Sequence, residues 1–332
     1  MILSDFDYDL PKEYIAQKPA EPRDSSKLMV VWSDRTEHRI FRDIVDYVSE
    51  GDVFVINNTR VFPARLHGRK TTGGKIDVLL LRRLKGSEWE ALLGGKRLRP
   101  GPITIEGRPA DILEHLNEGR YIIRIDEDVL ESGEMPIPPY ISTMPDDPER
   151  YNTVFAEKTG SVAAPTAGLH FTPPLMKSLE DRGVRFARIT LHVGIGTFMP
   201  VRTEKIEEHR MEREYYTITE EAAEIINSAE RLFVVGTTAT RAIESAPHAE
   251  GRILPSEGWA DIFIYPGYNF KNRINGLITN FHLPRSTLLM LVSAFAGRNR
   301  ILEAYREAMK RNYRFYSFGD AMLLWNPREV EK

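Results

Sequence analysis

The 332-residue chain contains no cysteine. This absence excludes disulfides, thiolate nucleophiles, iron–sulfur clusters and zinc sites that depend on sulfur ligands. The sequence also lacks any run of about 18 or more apolar residues, the length that a membrane-spanning helix needs. Its opening residues, MILSDFDYDLPKEY, do not have the basic-then-apolar order of a signal peptide. We therefore expect a cytoplasmic protein with no membrane association, whose chemistry uses histidine, carboxylate, amine or hydroxyl groups.

The chain as a whole has almost no excess of either charge, since its formal net charge is -3. The segment from Val61 to Pro100 differs, since it has ten Lys and Arg against three Asp and Glu and so a net charge of +7. A basic surface on an otherwise acidic protein is typical of a polyanion-binding protein. Scattered surface cations would give the same count, so charge alone leaves both interpretations open.

The length and the residue pattern predict two domains. Short alternating strands separated by glycine turns between residues 63 and 126 are typical of a small antiparallel β-barrel or sandwich. The acidic, proline-rich stretch 126–149 predicts an extended return linker. From residue 150 onwards strand and helix patterns alternate, which favours a mostly parallel sheet flanked by helices. We therefore predict an α/β fold with an inserted β-barrel, with residues 1–60 and 150–332 as a discontinuous catalytic domain and 61–149 as the barrel and its linker.

Three loop-forming segments are candidates for a shared site: SVAAPTAGLHF at 161–171, LHVGIGTF at 191–198 and VGTTATR at 235–241. Glycines and other small residues let the backbone approach a ligand closely, and loops of this kind often carry function. In open α/β sheets, ligands bind beyond the carboxyl ends of the strands, where such loops meet. The glycine pair in LHVGIGTF lacks the third glycine of a dinucleotide-binding turn, so by itself it predicts only a strand-to-loop turn.

Four histidines lie in or beside the candidate loops: His170, His192, His209 and His282. Their spacing matches no metal-binding helix motif, and we expect no metal. Histidine can accept or donate a proton near neutral pH, which makes each of them a candidate acid or base. A hydrogen-bonded structural role is the alternative for each one.

Longer motifs carry a family resemblance. In chain order they are YDLPKEYIAQKP, INNTRVFPARLHGRKTTGGKIDVLLL, SVAAPTAGLHF, LHVGIGTFMPV, VGTTATRAIES, IFIYPGY, ITNFHLPRSTLLMLVSAFAG and YRFYSFGDAML. With these motifs the chain resembles, along essentially its whole length, the S-adenosylmethionine:tRNA ribosyltransferase-isomerase family of queuosine biosynthesis. One position departs from the family pattern, because HRMERE has Glu212 where family members often have a second histidine. A catalytic histidine at that position is therefore in doubt.

The resemblance implies a reaction. Family members transfer and isomerise the ribosyl moiety of S-adenosylmethionine onto 7-aminomethyl-7-deazaguanine at the wobble position of tRNA, forming epoxyqueuosine and releasing adenine and methionine. S-adenosylmethionine would be the co-substrate and ribosyl donor, the tRNA carrying that base would be the partner, and we expect a monomer. The family fold, an α/β domain with an inserted β-barrel, agrees with the pattern described above.

The reaction needs a base that removes a proton beside the sulfonium and an acid that helps adenine to leave. We assign these roles to His170 and His192, in either order, with His282 and Asp320 in reserve. Two further sets complete the predicted site: Thr166, Gly168, Gly194, Gly196, Thr197, Thr237 and Thr238 for S-adenosylmethionine, and Arg60, Arg65, Arg69, Lys70 and Lys75 for tRNA.

Two alternatives stay open on the sequence. A methyltransferase that uses S-adenosylmethionine would explain the strand followed by GIGT, and it predicts S-adenosylhomocysteine as product instead of free adenine. A non-catalytic RNA-binding module would explain the basic segment, and it predicts tRNA binding without consumption of S-adenosylmethionine.

Overall fold

The computed structural model describes residues 1–117, 119–136, 138, 140–141, 147–194, 196 and 201–326. The chain divides into two compact units. One comprises Met1–Thr59, Pro139–Lys158 and Pro165–Lys332, and the other comprises Arg60–Pro138 and Thr159–Ala164. The sequence predicted boundaries after residues 60 and 149, whereas the units separate after Thr59 and Pro138 and the second unit regains a short later segment. None of the helices in the described ranges has the length and apolar character needed to span a membrane.

The strands are numbered in chain order. They are β1 (Lys27–Val31), β2 (Thr36–Ile40), β3 (Val53–Asn57), β4 (Thr59–Val61), β5 (Arg65–Lys70), β6 (Lys75–Arg83), β7 (Glu88–Gly94), β8 (Gly101–Ile105), β9 (Arg108–His115), β10 (Arg120–Arg124), β11 (Lys158–Ser161), β12 (Arg185–Leu191), β13 (Glu214–Ile218), β14 (Leu232–Val235), β15 (His248–Ala249), β16 (Arg252–Ile253), β17 (Ser256–Ala260), β18 (Ile274–Asn280) and β19 (Ala321–Trp325).

The helices fall into two kinds. The α-helices are α1 (Pro173–Glu180), α2 (Glu220–Asn227), α3 (Thr237–Ser245), α4 (Thr287–Ala296) and α5 (Arg298–Lys310). Short 3₁₀ helices cover Leu3–Phe6, Lys12–Tyr14, Arg23–Ser25, Phe41–Tyr47, Glu127–Ser132, Pro148–Tyr151, Thr166–His170 and Ile206–Glu208.

The first unit is built on a nine-stranded sheet with the order β17-β13-β12-β3-β14-β18-β19-β1-β2. Four neighbouring strands, β12, β3, β14 and β18, are parallel, and β19 is parallel to β1. The pairs β17–β13, β13–β12, β18–β19 and β1–β2 are antiparallel. The predicted α/β class is confirmed, but the sheet is mixed and not mostly parallel. The prediction of a mostly parallel sheet was wrong because β1, β2, β13 and β17, which form antiparallel pairs, were not assigned from the sequence.

The central strands consist of apolar residues because they are covered on both faces. All residues of β3, β14, β18 and β19 are buried. Phe54 and Phe233 pack against each other with ring centroids 5.1 Å apart, and Phe171 and Trp325 extend the same core. Burial of a large apolar side chain contributes about 1.5–3 kcal/mol, so this core stabilises the strand ends from which the site loops emerge.

The helices begin where the sequence provides a cap. The hydroxyls of Thr172, Thr219 and Ser286 accept hydrogen bonds from backbone N–H groups in the first turns of α1, α2 and α4. In α3 no side chain caps the first turn, and the helix follows Gly236, whose φ of +91° is accessible to glycine but strained for other residues. The amino terminus of α3 therefore has backbone N–H groups without a side-chain cap.

The second unit contains a closed six-stranded antiparallel barrel with the order β10-β7-β6-β5-β8-β9. Its strands alternate between buried and exposed positions, as β5 and β6 show. The predicted inserted barrel is therefore confirmed. The acidic segment predicted to be an extended linker contains the 3₁₀ helix Glu127–Ser132, whose Val129 is buried.

Candidate active site

The carboxyl ends of four parallel strands lie side by side at one end of the large sheet, and we call this end the sheet edge. β12, β3, β14 and β18 are neighbours and run in the same direction. The chain leaves them through His192, Asn58, Gly236 and Phe281. Two of the loops that the sequence predicted to form a site, LHVGIGTF and VGTTATR, therefore begin at this edge.

The segment TAGLH reaches the same edge as the 3₁₀ helix Thr166–His170. If Gly236 carried a side chain, its Cβ would lie 3.5 Å from the Cβ of Ala167, so this helix and the start of α3 are neighbours. Thr166 is the only partly exposed residue in the 3₁₀ helix. Gly168 faces protein, since a Cβ there would lie 2.6 Å from a ring carbon of Phe155. The glycine is therefore explained by packing against Phe155.

His170 is buried in a closed network. Its Nδ1 lies 2.8 Å from the hydroxyl of Ser26, and its Nε2 lies 3.3 Å from Nδ2 of Asn280. The amide nitrogen can only donate, so Nε2 is the acceptor and the ring proton is on Nδ1. Burial, together with the charges of Arg314 and Arg150, lowers the pKa of His170 to about 3. The ring is therefore neutral at physiological pH, and both nitrogens are in use.

The two reserve candidates also have structural contacts. Nε2 of His282 lies 2.8 Å from the hydroxyl of Thr279, its backbone N–H donates to Tyr305, and burial lowers its pKa to about 3. The Asp320 carboxylate accepts from the backbone N–H groups of Lys27 and Arg314 at 3.0 and 2.8 Å, and from the Arg314 guanidinium at 3.1 Å. The Asp320 contacts fix the loops before β1 and β19.

His192 differs from His170 because, among the described residues, only one of its ring nitrogens has a hydrogen-bond partner. His282 shares this feature, but it is buried, whereas His192 is only half-buried. Its Nδ1 lies 2.8 Å from the hydroxyl of Thr59, and its backbone N–H donates to the carbonyl of Tyr215 at 2.9 Å. Among the described residues, Nε2 has no hydrogen-bond partner. The residue is half-buried, and burial lowers its pKa. A neutral imidazole held through Nδ1 with Nε2 available has the form of a general base.

A buried ion pair holds the backbone at Gly194, two residues after His192. The guanidinium of Arg241 in α3 contacts the carboxylate of Glu214 in β13, and their side chains are only 6% and 3% exposed. Glu214 also accepts from the backbone N–H of Gly194 at 3.0 Å, and Arg241 donates to the carbonyl of Ala260 at 3.0 Å. This pair was not predicted from the sequence, although a glutamate at an inward position of the alternating strand EYYTI was a usable signal.

The predicted cofactor residues beyond Gly194 have different surroundings. A Cβ at Gly196 would lie 2.7 Å from Glu212, the residue found where family members often have histidine. Thr197 lies outside the described residues. Thr237 and Thr238 are buried in the first turn of α3, and the Thr238 hydroxyl has no hydrogen-bond partner in the described part of the chain. An unpartnered hydroxyl beside an uncapped helix start is suited to a polar ligand group.

The predicted tRNA residues lie on the barrel unit. Arg65, Arg69 and Lys75 are exposed, Lys70 donates to the carbonyl of Lys96, and Arg60 is partly buried in β4. Arg69 and Lys75 are directly opposite each other on β5 and β6. Both line a cavity of about 390 Å³, together with His67, Asp77 and Glu106.

No group of three or more histidine or carboxylate side chains within the described ranges is arranged to hold a metal ion. His209, the fourth histidine, packs edge-to-face on Phe263 with centroids 5.2 Å apart, and burial lowers its pKa.

Comparisons with known proteins assign the chain to a family. The family described as queuosine biosynthesis protein matches residues 3–324. The S-adenosylmethionine:tRNA ribosyltransferase-isomerases of Desulfitobacterium hafniense and Symbiobacterium thermophilum are 52% and 53% identical, each over 98% of this chain and 100% of the relative. The crystal structure of S-adenosylmethionine tRNA ribosyltransferase from Thermotoga maritima is 38% identical, covers 97% of this chain and 100% of its own, and has a TM-score of 0.55. The chain therefore belongs to the queuosine biosynthesis protein family.

Proposed function

We propose that this chain is an S-adenosylmethionine:tRNA ribosyltransferase-isomerase. It transfers and isomerises the ribosyl moiety of S-adenosylmethionine onto 7-aminomethyl-7-deazaguanine at the wobble position of tRNA, forming epoxyqueuosine and releasing adenine and methionine. Full-length identity of about half to relatives with this activity is the observation that carries the proposal. S-adenosylmethionine is consumed as a ribosyl donor.

We assign the general base to His192. The positive sulfonium acidifies the adjacent 5′ carbon of the ribose, and a neutral imidazole can accept that proton on Nε2. The hydrogen bond of Nδ1 to Thr59 supports this assignment because it fixes the ring orientation. Both nitrogens of His170 are in use, and its low pKa disfavours the protonated form that an acid needs. We therefore give His170 a positioning role and leave the acid that assists adenine departure unassigned.

We place the S-adenosylmethionine pocket along the sheet edge around Thr166, Gly194, Gly196, Thr237 and Thr238. Thr197, which lies outside the described residues, stays a predicted contact. The uncapped start of α3 and the unpartnered Thr238 hydroxyl support this placement, since both can donate hydrogen bonds to ligand oxygens. The ion pair of Arg241 and Glu214 holds the backbone of Gly194 against β13. Gly168 faces Phe155, so its contribution to the pocket is to let the 3₁₀ helix Thr166–His170 pack closely on that ring.

The products distinguish this function from its alternatives. The purified protein is incubated with S-adenosylmethionine and a tRNA that carries 7-aminomethyl-7-deazaguanine, and the small molecules and the tRNA are identified by mass. We expect free adenine, free methionine and a ribosyl-derived mass added to the tRNA. S-adenosylhomocysteine would identify a methyltransferase, and tRNA binding without turnover on a verified substrate would identify an RNA-binding module.

The basic face of the barrel is proposed as the tRNA contact surface, with Arg60, Arg65, Arg69, Lys70 and Lys75 as contacts. For the double variant Arg69→Gln, Lys75→Gln we expect weaker tRNA binding and a shallower salt dependence. The slope of log K against log salt is negative, and each lost phosphate contact reduces its magnitude by about 0.7 on single-stranded and about 0.9 on duplex regions. Binding is measured by titration at several salt concentrations.

The matched control for this prediction is Arg82→Gln. Arg82 lies on the same barrel but donates to Glu90 at 3.0 Å, so its charge is already compensated. We expect this variant to keep the wild-type slope. An unchanged slope in the Arg69 and Lys75 variant would place the tRNA contacts elsewhere.

A further inference from the structure

Three arginines from distant parts of the chain surround the loop that precedes β1. Arg314 donates to the carbonyl of Lys18 at 3.3 Å, Arg150 donates to the carbonyl of Ala20 at 2.6 Å, and Arg23 lies within the loop. Ser26, at the end of this loop, contacts Nδ1 of buried His170 at 2.8 Å. Asn280 contacts Nε2 of the same ring and also donates to the carbonyl of Tyr316, two residues after Arg314. The loop thus brings a cluster of positive charge next to the candidate active site.

Only part of this positive charge is compensated by carboxylates. Arg314 is paired with buried Asp320 at 3.1 Å. The carboxylate that contacts Arg150 belongs to Glu21, at 3.3 Å, and it is 79% exposed and so weakly effective. In the described part of the chain, Arg23 has no carboxylate within 4 Å. The carboxylates of Glu21 and Asp147 act on both Arg23 and Arg150, but both are exposed and therefore compensate the two guanidinium groups only weakly.

Arg150 also has an unused hydrogen-bond donor. Its side chain is only 12% exposed, and its Nη1 is buried without a partner among the described residues. Arg23 uses Nη1 to donate to the carbonyl of Asn152 at 2.8 Å. Burial, followed by the charge of Arg150, lowers the pKa of Arg23 to about 10. Two cations that repel each other and a buried N–H without an acceptor are both compensated by the same ligand, an oxyanion.

We propose that Arg23 and Arg150 bind an oxyanion of the substrates, with Arg314 adding its charge at the edge of the site. The chemistry is that of guanidinium groups with a phosphodiester or a carboxylate. The enzyme's two substrates provide one of each, since tRNA has backbone phosphates and S-adenosylmethionine has a carboxylate. The identification of these two sources rests on the proposed function, whereas the anion site rests on the arginines alone.

Binding measurements without turnover identify the source. The variants are Arg150→Gln and Arg23→Gln, and the probes are S-adenosylmethionine, decarboxylated S-adenosylmethionine and the substrate tRNA. A carboxylate site predicts that affinity for S-adenosylmethionine falls by about 10- to 100-fold, the loss expected for a charged hydrogen bond, while affinity for the decarboxylated compound is unchanged. A phosphate site predicts the loss for tRNA, with a salt slope lower by about 0.7 per contact.

The control is Arg311→Gln, since Arg311 is 57% exposed, contacts Glu307 on its own helix and lies outside the cluster. Circular dichroism and thermal unfolding verify that each variant is folded. If Arg150→Gln does not fold, Arg23→Gln decides the question, because its guanidinium is partly exposed. Unchanged affinity for both substrates in a folded variant would overturn the oxyanion site. Absence of adenine release by the wild-type protein would contradict the proposed function without affecting this binding result.

Discussion

Replacing His192 by glutamine is expected to lower the rate of adenine release by about 10²- to 10⁴-fold, the usual contribution of a general acid or base. Glutamine keeps a polar side chain beside Thr59 but cannot accept the proton from the ribose carbon. Binding of S-adenosylmethionine and tRNA should persist, so the loss is expected in kcat. Adenine release is followed by chromatography under single-turnover conditions.

The pH dependence gives an independent test of the same residue. The base is active when neutral, and burial lowers the pKa of His192 from its ordinary 6.5. The wild-type rate should therefore fall as the pH drops below 6.5, and this acidic limb should be missing from the residual rate of His192→Gln. His38→Gln is the control, because His38 lies on edge strand β2 and contacts Glu307 and Tyr313. A near-normal rate for His192→Gln would remove His192 from the mechanism.

Replacing Arg241 by methionine is expected to destabilise the protein by about 3–5 kcal/mol, because it leaves the Glu214 carboxylate buried without its cation. Arg241→Met should also weaken S-adenosylmethionine binding if Gly194 lines the pocket. The free energy of unfolding is obtained from denaturant titrations of both proteins.

A neighbouring ion pair provides the matched control. Arg213 lies directly before β13 and Asp261 directly after β17, and their charged groups are 3.5 Å apart. Their side chains, however, are 71% and 53% exposed. Arg213→Gln should therefore change stability by only about 0–1 kcal/mol. The double variant Arg241→Met, Glu214→Gln should lose less than the sum of the two single variants, since removal of the carboxylate relieves the unpaired charge. Strict additivity, or equal losses at Arg241 and Arg213, would contradict the role given to the buried pair.

The central part of the fold could be predicted because its strands are covered on both faces. Apolar runs such as VFVI, LFVV and AMLLW coincide with β3, β14 and β19. The edge strand β2 is polar, and β13, which lies between β17 and β12, alternates between buried and partly exposed residues. β1 is apolar enough to have been assigned. Without these strands the sheet was expected to be mostly parallel.

The loops of the site could be predicted, but the contacts that distinguish its histidines could not. Sequence placed His170 and His192 on equal terms, since both lie in short motifs beside small residues. The difference depends on partners far away in the chain, because Ser26 is 144 residues from His170 and Thr59 is 133 residues from His192. The partners of Glu214 and Arg150 are likewise brought into contact by the fold. No local pattern records such pairings.

The position of β19 has a consequence for the order of folding during synthesis. This strand is the last one in the described chain, yet it lies inside the sheet, between β18 and β1. The hairpin of β1 and β2 can therefore join the rest of the sheet only after residues 321–325 have left the ribosome. Pairings so distant in sequence close slowly and late. The loop carrying Arg23, which leads into β1, therefore takes its final position only in the last stage of folding, so a nascent chain lacks the complete oxyanion site proposed for Arg23 and Arg150.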